Sequence, residues 1–395
     1  MKARGTGTWA ALAVLTGVVL LTGVVPMTVA AATAGVISTT PVTYQCYGSG
    51  GCPGAGDGSV AHTFNVTYRA EGDPSTRITV EKGGDGGLLL SDSISRVRLE
   101  GTAETGCSLL GAHRAICPIY DRVTVYAGDR GDVIDARHLN GEADATLDGG
   151  AGNDVIYAPS EGGTVVGGAG HNVLRGNKST TVSYQQAPGP VSVDLARGIA
   201  VTRGERDRLV GISTVLGSKR FSNRILGPRR PWDRVSYITG GPAGNFLLAR
   251  GFSDIRIAEG AHRPSTVVCE NARSYVSEVE SNDLIAGTCN VGQVDLLGPI
   301  PNVAAPLLLA FRPELWELPL SRVTVVALSS GDLLCELVVA APGAGMPCRL
   351  NAGGRAMLKR VGRMLVRVTE FDTDAAHEKP LVRHTFRYLL ALQKR

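Results

Sequence analysis

From Thr63 to about Val125, runs such as Phe64-Asn65-Val66-Thr67-Tyr68, Ile78-Thr79-Val80 and Val97-Arg98-Leu99 put an apolar residue at every second position. That is the period of a half-buried strand, and Gly-Asp and Gly-Gly turns separate the runs. The alternation returns from Ser321 onward in Val323-Thr324-Val325-Val326-Ala327, Leu334-Cys335-Glu336-Leu337, Met364-Leu365-Val366-Arg367-Val368 and His384-Thr385-Phe386-Arg387-Tyr388. Short strands at this density over residues 321–395 predict a small antiparallel β-sandwich.

Between Gly128 and Gly176 the punctuation becomes periodic. Gly149-Gly150-Ala151-Gly152-Asn153-Asp154-Val155-Ile156-Tyr157 has the form G-G-x-G-x-D-x-U-x, where U is a large apolar residue. Eighteen residues later, Gly167-Gly168-Ala169-Gly170-His171-Asn172-Val173-Leu174-Arg175 repeats it with Asn for Asp. Residues 158–166 keep the length of nine and the apolar Val165 without the Asp, and Gly128-Asp129-Arg130-Gly131-Asp132-Val133-Ile134 carries Arg130 where the third glycine belongs. In each nonamer the first six residues form a turn whose left-handed angles favour glycine, and the last three form a strand with U pointing inward. Two nonamers close one coil, so residues eighteen apart stack. Ile156 is expected over Leu174, and the turn of Asp154 over that of Asn172.

These residues resemble the hemolysin-type (RTX) calcium-binding repeat of secreted proteins. Thr181-Val182-Ser183-Tyr184, Val191-Ser192-Val193-Asp194-Leu195, Asp207-Arg208-Leu209-Val210-Gly211-Ile212 and Val215-Leu216-Gly217-Ser218 are similar to the segment that interrupts such arrays. Gly106 to Pro118, followed by Val123-Thr124-Val125, resembles the strand pair preceding the array in exported actinobacterial members, and Cys269 to Cys289 a later coil. The resemblance implies a parallel β-roll or β-helix of degenerate repeats. It also implies a calcium ion held by Asp154, Gly149, Ala151, Asn153, Asn172 and Asp132, because calcium takes six to eight oxygens and stacked turns offer carboxylates and carbonyls together. Asn172 is neutral, Gly163 stands where the intervening nonamer would have Asp, and Asn223-Arg224-Ile225-Leu226-Gly227 has lost its acid too. A roll kept for its shape alone is therefore the competing expectation.

Composition agrees with a turn-rich β architecture: 51 of 395 residues are glycine, well above the usual ~7%, while aromatics make up 5%. Lys2 and Arg4 precede an apolar stretch from Trp9 to Val25, then Pro26 and the small-residue run Ala30-Ala31-Ala32-Thr33-Ala34, the order of a secretory signal peptide. The stretch is short for a membrane span, and no second run of spanning length follows. Of 40 basic residues two fall in that segment, leaving 38 against 36 acidic ones. A near-neutral chain with few aromatics argues against a nucleic-acid partner. Eight cysteines form four neighbouring couples, Cys46 with Cys52, Cys107 with Cys117, Cys269 with Cys289 and Cys335 with Cys348. Sequential disulfides are the economical pairing among the possible ones, and export favours them over zinc, since neither a Cys-x-x-Cys nor a spaced His pair occurs.

No Gly-x-Ser-x-Gly, His-Glu-x-x-His or phosphate-binding Gly-rich loop is found, and acid pairs such as Asp129 with Asp132 read as turn residues. The catalytic set is accordingly expected to be empty. The sequence thus predicts an all-β chain: a signal peptide at 1–34, a disulfide-bearing β region at 35–126, the parallel repeat array at 127–295, a Pro-rich linker at 296–320 and the sandwich at 321–395. The expected role is an exported, non-enzymatic calcium-binding surface protein, structural or adhesive, whose partners are calcium and cell-wall or surface polysaccharide or protein. A carbohydrate-active or wall-binding β-helix protein is the alternative.

Overall fold

The computed structural model describes residues 34–45, 60–72, 75–84, 86–100, 106–118, 120–140, 144–229, 236–242, 244–251, 253–257, 263–270, 274–278, 283–287, 289–291, 294–296, 307–311, 321–339, 346–372 and 381–391. Residues 1–33 of the expected signal peptide and the couple Cys46 and Cys52 lie outside these residues, while Ala34 opens the first strand. The described residues are all-β apart from one helix, and most of their strands belong to two ladders of parallel pairing.

The first ladder runs through Val60–Glu71, Arg122–Tyr126, Asp144–Asp148, Gly163–Val166, Thr180–Ser183, Thr214–Leu216, Ser236–Gly240, Ser253–Ile257, Tyr275–Glu278 and Asn290–Val291. The second runs through Arg77–Lys82, Val133–Asp135, Val155–Tyr157 and Val173–Arg175 to Glu205–Val210. It continues from Val191–Asp194 to Asn223–Leu226, Phe246–Ala249, Thr266–Cys269 and Leu284–Gly287. The chain visits the two ladders in turn, and each visit stacks one more strand.

Alternation decides which side chains go in. Along the second ladder Ile78, Ile134, Ile156, Leu174 and Leu209 are register partners, and then Val193, Ile225, Leu247, Val267 and Ile285. The first ladder answers with Val165, Val182, Val215, Ile238, Ile255, Val276 and Val291, and all these side chains are buried. Ile156 lies over Leu174, eighteen residues on. On the outward side of the first ladder Thr67, Thr124, Thr146, Thr164, Thr181 and Thr214 occupy successive rungs. Stacked β-branched residues suit that half-buried position.

Residues 191–210 break the simple stack. Val191–Asp194, Ile199–Thr202 and Glu205–Val210 are paired antiparallel inside the second ladder, so three strands enter there while the first ladder steps directly from Val182 to Val215. The tight turn between Ile199–Thr202 and Glu205–Val210 has Arg203 and Gly204 at φ 48° and 89°.

The expected domain boundaries are not breaks in pairing. Both ladders begin in the N-terminal region, where Ala34–Gln45 pairs antiparallel with Val60–Glu71, and Arg77–Lys82 with Leu88–Asp92. The stretch 296–320, expected to be a linker, supplies Leu307–Phe311, which pairs with Val294–Leu296 and Met346–Arg349. At the C-terminus Ser321–Ala327, Leu333–Val339, Arg363–Asp372 and Leu381–Ala391 pair antiparallel. The last of these also pairs parallel with Leu284–Gly287, so it prolongs the second ladder. Residues 33–395 form one compact unit.

The helix Ala352–Val361 was not predicted by alternation. Asn351 caps it by accepting the Gly354 N–H at 2.8 Å, Lys359 and Arg360 occupy its last turn, and Gly362 ends it at φ 72°. Disulfides join Cys107 to Cys117 and Cys269 to Cys289, as expected. Cys335 is also disulfide-bonded, and the side chain of Cys348 lies outside those described.

Candidate functional site

The repeat turns stack through their backbones. Ala151 N–H donates to the Gly128 carbonyl at 2.9 Å, Ala169 N–H to Gly150 at 2.8 Å and Gly152 N–H to Ala169 at 2.9 Å. Gly150 and Gly168 have φ of 89° and 83°, and a β-carbon on either would overlap the carbonyl of the turn before it, Gly128 or Gly150. Glycine is needed here both for the left-handed angle and for the close approach. Arg130, in the degenerate first repeat, holds the same left-handed region at φ 76°.

Behind the turns a second set of hydrogen bonds joins the coils. Thr76 N–H donates to Asp132 Oδ1 at 2.6 Å, Asp132 N–H to Asp154 Oδ1 at 2.8 Å, Asp154 N–H to Asn172 Oδ1 at 3.0 Å and Asn172 N–H to Asp207 Oδ1 at 2.9 Å. Past the inserted strands the series resumes. Asn223 N–H donates to Asn245 Oδ1 at 3.1 Å, Asn245 N–H to Ser265 Oγ at 3.1 Å, and Ser265 N–H to Asp283 Oδ1 at 2.7 Å. All of these acceptor side chains are buried. Each polar side chain satisfies a backbone donor of the preceding coil that has no strand partner.

Asparagine rungs go further. Asn172 Nδ2 donates to Asp207 Oδ1 at 3.0 Å, Asn223 Nδ2 to Asn245 Oδ1 at 2.8 Å and Asn245 Nδ2 to Ser265 Oγ at 3.0 Å. An ionised aspartate has no donor for this, and Oδ2 of Asp132 and Oδ2 of Asp154 are buried without a partner. Asp207 Oδ2 differs, because Tyr184 OH donates to it at 2.9 Å. Burial raises the pKa of Asp154 to about 7, with the hydrogen bond from Asp132 N–H opposing and the charges of Asp132, Asp148 and Asp207 adding. Burial likewise raises Asp132 to about 6 against the two bonds from Thr76, and raises Asp207.

The six residues expected to hold calcium therefore separate. Asp132, Asp154 and Asn172 stand in the buried series, and Gly149 lies against the Asp154 carboxyl so closely that a β-carbon there would overlap Oδ2. Ala151 lies on the turn backbone as bridge partner of Asp129 and Ala169. Asn153 is exposed, and its Oδ1 accepts the His171 N–H at 2.8 Å. One oxygen of Asp154 is committed to a backbone donor, the next rung is a neutral amide, and no group of three His, Cys, Asp or Glu gathers among the described residues. These side chains alone do not supply the six to eight oxygens that calcium takes, and most of a ligand set would have to come from the turn carbonyls.

Asp207, Asn223, Asn245, Ser265 and Asp283 were not singled out as site residues from the sequence. The signal was present: each stands two positions before an inward aliphatic, Leu209, Ile225, Leu247, Val267 and Ile285, as Asp154 does before Ile156. His171, in the turn of the second nonamer, uses Nδ1 to accept the Arg206 N–H at 3.0 Å and so pins the inserted strands to the repeat turn. No described helix is long and apolar enough to cross a membrane. No protein-family model matches the chain, and no curated protein matches it.

Proposed function

We propose that this is an exported, non-enzymatic scaffold protein, a coil of degenerate hemolysin-type repeats in which an internal Asp/Asn/Ser series takes over the stacking role. The observation that carries this reading is the substitution pattern of the series. Asp132, Asp154, Asn172, Asp207, Asn245, Ser265 and Asp283 all perform the same backbone-accepting task, and a carboxylate is not required for it. The nonamer 149–157 and the eighteen-residue stacking support descent from the calcium-binding repeat. The two disulfides and the N-terminal segment support export. A structural or adhesive surface role follows from a long, regular exterior.

Thermal unfolding of the disulfide-intact chain in 5 mM calcium and in chelator tests the reading. The scaffold predicts the same Tm in both, and a higher Tm for Asp154→Asn. A rise in Tm with calcium that Asp154→Asn abolishes would overturn it in favour of a metal-stabilised roll.

A further inference from the structure

We infer that the outward face of the second ladder, across the inserted strands, is a binding face for an acidic polysaccharide. Charge is unevenly distributed along the chain: between residues 194 and 263 there are thirteen Arg and Lys against six Asp and Glu, although the whole chain carries only +4. The fold gathers part of that excess on one surface. Register places Arg206, Val201, Ser192, Arg224 and Phe246 on successive rungs, so Arg206 and Arg224 stand three rungs, or about 14 Å, apart. Arg208 lies beside Arg206 on the same strand face, with the buried Asp207 between them.

Two grooves flank this row. One, of about 550 Å³, is lined by Arg197, Arg206 and Arg208, with Asp207 and the turn Ala196, Gly198 and Ile199. The other, of about 590 Å³, is lined by Ser192, Arg224, Phe246 and Arg263 and has no carboxylate. Arg197, Arg206, Arg208, Arg224 and Arg263 are exposed, and none is ion-paired among the described residues. The nearby acids are largely occupied. Asp194 pairs with Arg250 at 3.2 Å and Asp207 is held by Asn172 and Tyr184, leaving the half-buried Glu205 at the strand start.

Unpaired guanidinium groups spaced along a rigid sheet match a polymer with a regularly repeated carboxylate, sulfate or phosphate, which arginine binds in bidentate fashion. Stacking on nucleic-acid bases would need open aromatic platforms, and the one ring here, Phe246, already has Arg224 above it at 5.5 Å. Insertion into a membrane would need an apolar wedge, and Val201, 37% exposed, is the largest exposed apolar side chain on the row. An acidic glycan is the partner that the face fits, with hydroxyls for Ser192 and anions for the arginines.

This partner rests on the exported-scaffold reading, but its test is separate from the calcium titration. The full chain is titrated with polygalacturonate and with neutral dextran in 50 mM NaCl, alongside Arg206→Glu/Arg224→Glu and the control Lys359→Glu on the helix Ala352–Val361. The expected result is saturable binding to polygalacturonate alone, weakened at least tenfold in the double variant and by 300 mM NaCl, and unchanged in Lys359→Glu. Arg263→Gln, which leaves the sheet untouched, should lower affinity severalfold and guards against a folding defect in the double variant. Absence of polygalacturonate binding, equal binding by all variants, or tighter binding to single-stranded DNA or phosphatidylserine vesicles would overturn the assignment. A failed calcium test with intact glycan binding would remove the metal-free scaffold alone.

Discussion

An aspartate that gives one oxygen to a backbone N–H and buries the other against a glycine is ill suited to its ionised form, and Asp154 is in that position. Asparagine at the same rung keeps the acceptor and adds a donor, as Asn172 does toward Asp207. Asp154→Asn should therefore place Nδ2 against Asn172 Oδ1 and raise stability at pH 8 by about 1–2 kcal/mol, read as a shift in chemical-denaturation midpoint. The pH dependence has a definite sign. With Asp154 at about 7 and Asp132 at about 6 in the folded chain, against 3.8 for an ordinary aspartate, the folded state binds more protons between those values. Their contribution is fully present below the ordinary carboxyl range and is lost as pH rises through 6 and 7. Unfolding midpoints should rise from pH 8 to pH 5, and Asp154→Asn should flatten that slope; a slope unchanged in the variant would show that Asp154 does not carry it. The sequence marked Asp154 as special, since the glycines and the apolar residue around it are spaced for a turn and a strand. It could not show the side the carboxyl takes, because an inward acceptor and an outward ligand leave the same D-x-U trace.

At the scale of elements, the eighteen-residue repeat was legible because stacking requires it: Ile156 meets Leu174 whatever lies outside the coil. The glycine requirement gives a sharp expectation. Gly150→Ala would force a β-carbon into the Gly128 carbonyl at φ 89°, and a cost of about 3 kcal/mol or more is expected from urea unfolding. Arg203, at φ 48° in a two-residue hairpin turn ahead of Gly204, offers the opposite case. Arg203→Asn should stabilise by roughly 0.5 kcal/mol, since Asn-Gly suits that turn. The helix Ala352–Val361 escaped notice because Asn351, Gly353 and Gly354 look like a turn. Asn351 is in fact a cap and Gly354 a small residue packed against Leu334 and Leu350, roles that only the folded neighbours define.

On the scale of the whole molecule, expected boundaries at 126, 296 and 320 followed changes in sequence texture, whereas pairing follows space. Ile78 is the register partner of Ile134, and Ile285 that of Tyr388 more than a hundred residues later. No local pattern encodes such distant partners, and the same blindness let the near-zero net charge conceal the arginine face. The C-terminal strand has a measurable consequence. Tyr388 is buried, its hydroxyl donates to the Gly287 carbonyl at 3.0 Å, and Arg387 N–H donates to the Asp283 carbonyl at 2.9 Å, so Leu381–Ala391 closes the end of the ladder that ends at Asp283 and Ile285. Tyr388→Phe removes only the hydrogen bond and should cost about 1 kcal/mol, while Tyr388→Ala opens the core and should cost about 3–5 kcal/mol. Because the terminal sheet continues the second ladder and both ladders close over one hydrophobic core, calorimetry of the full chain should give a single transition that Tyr388→Ala moves as a whole. Two transitions, with only the smaller one moved, would mean that residues 321–391 fold as a module of their own and that the parallel pairing to Leu284–Gly287 is incidental to the stability of the coil.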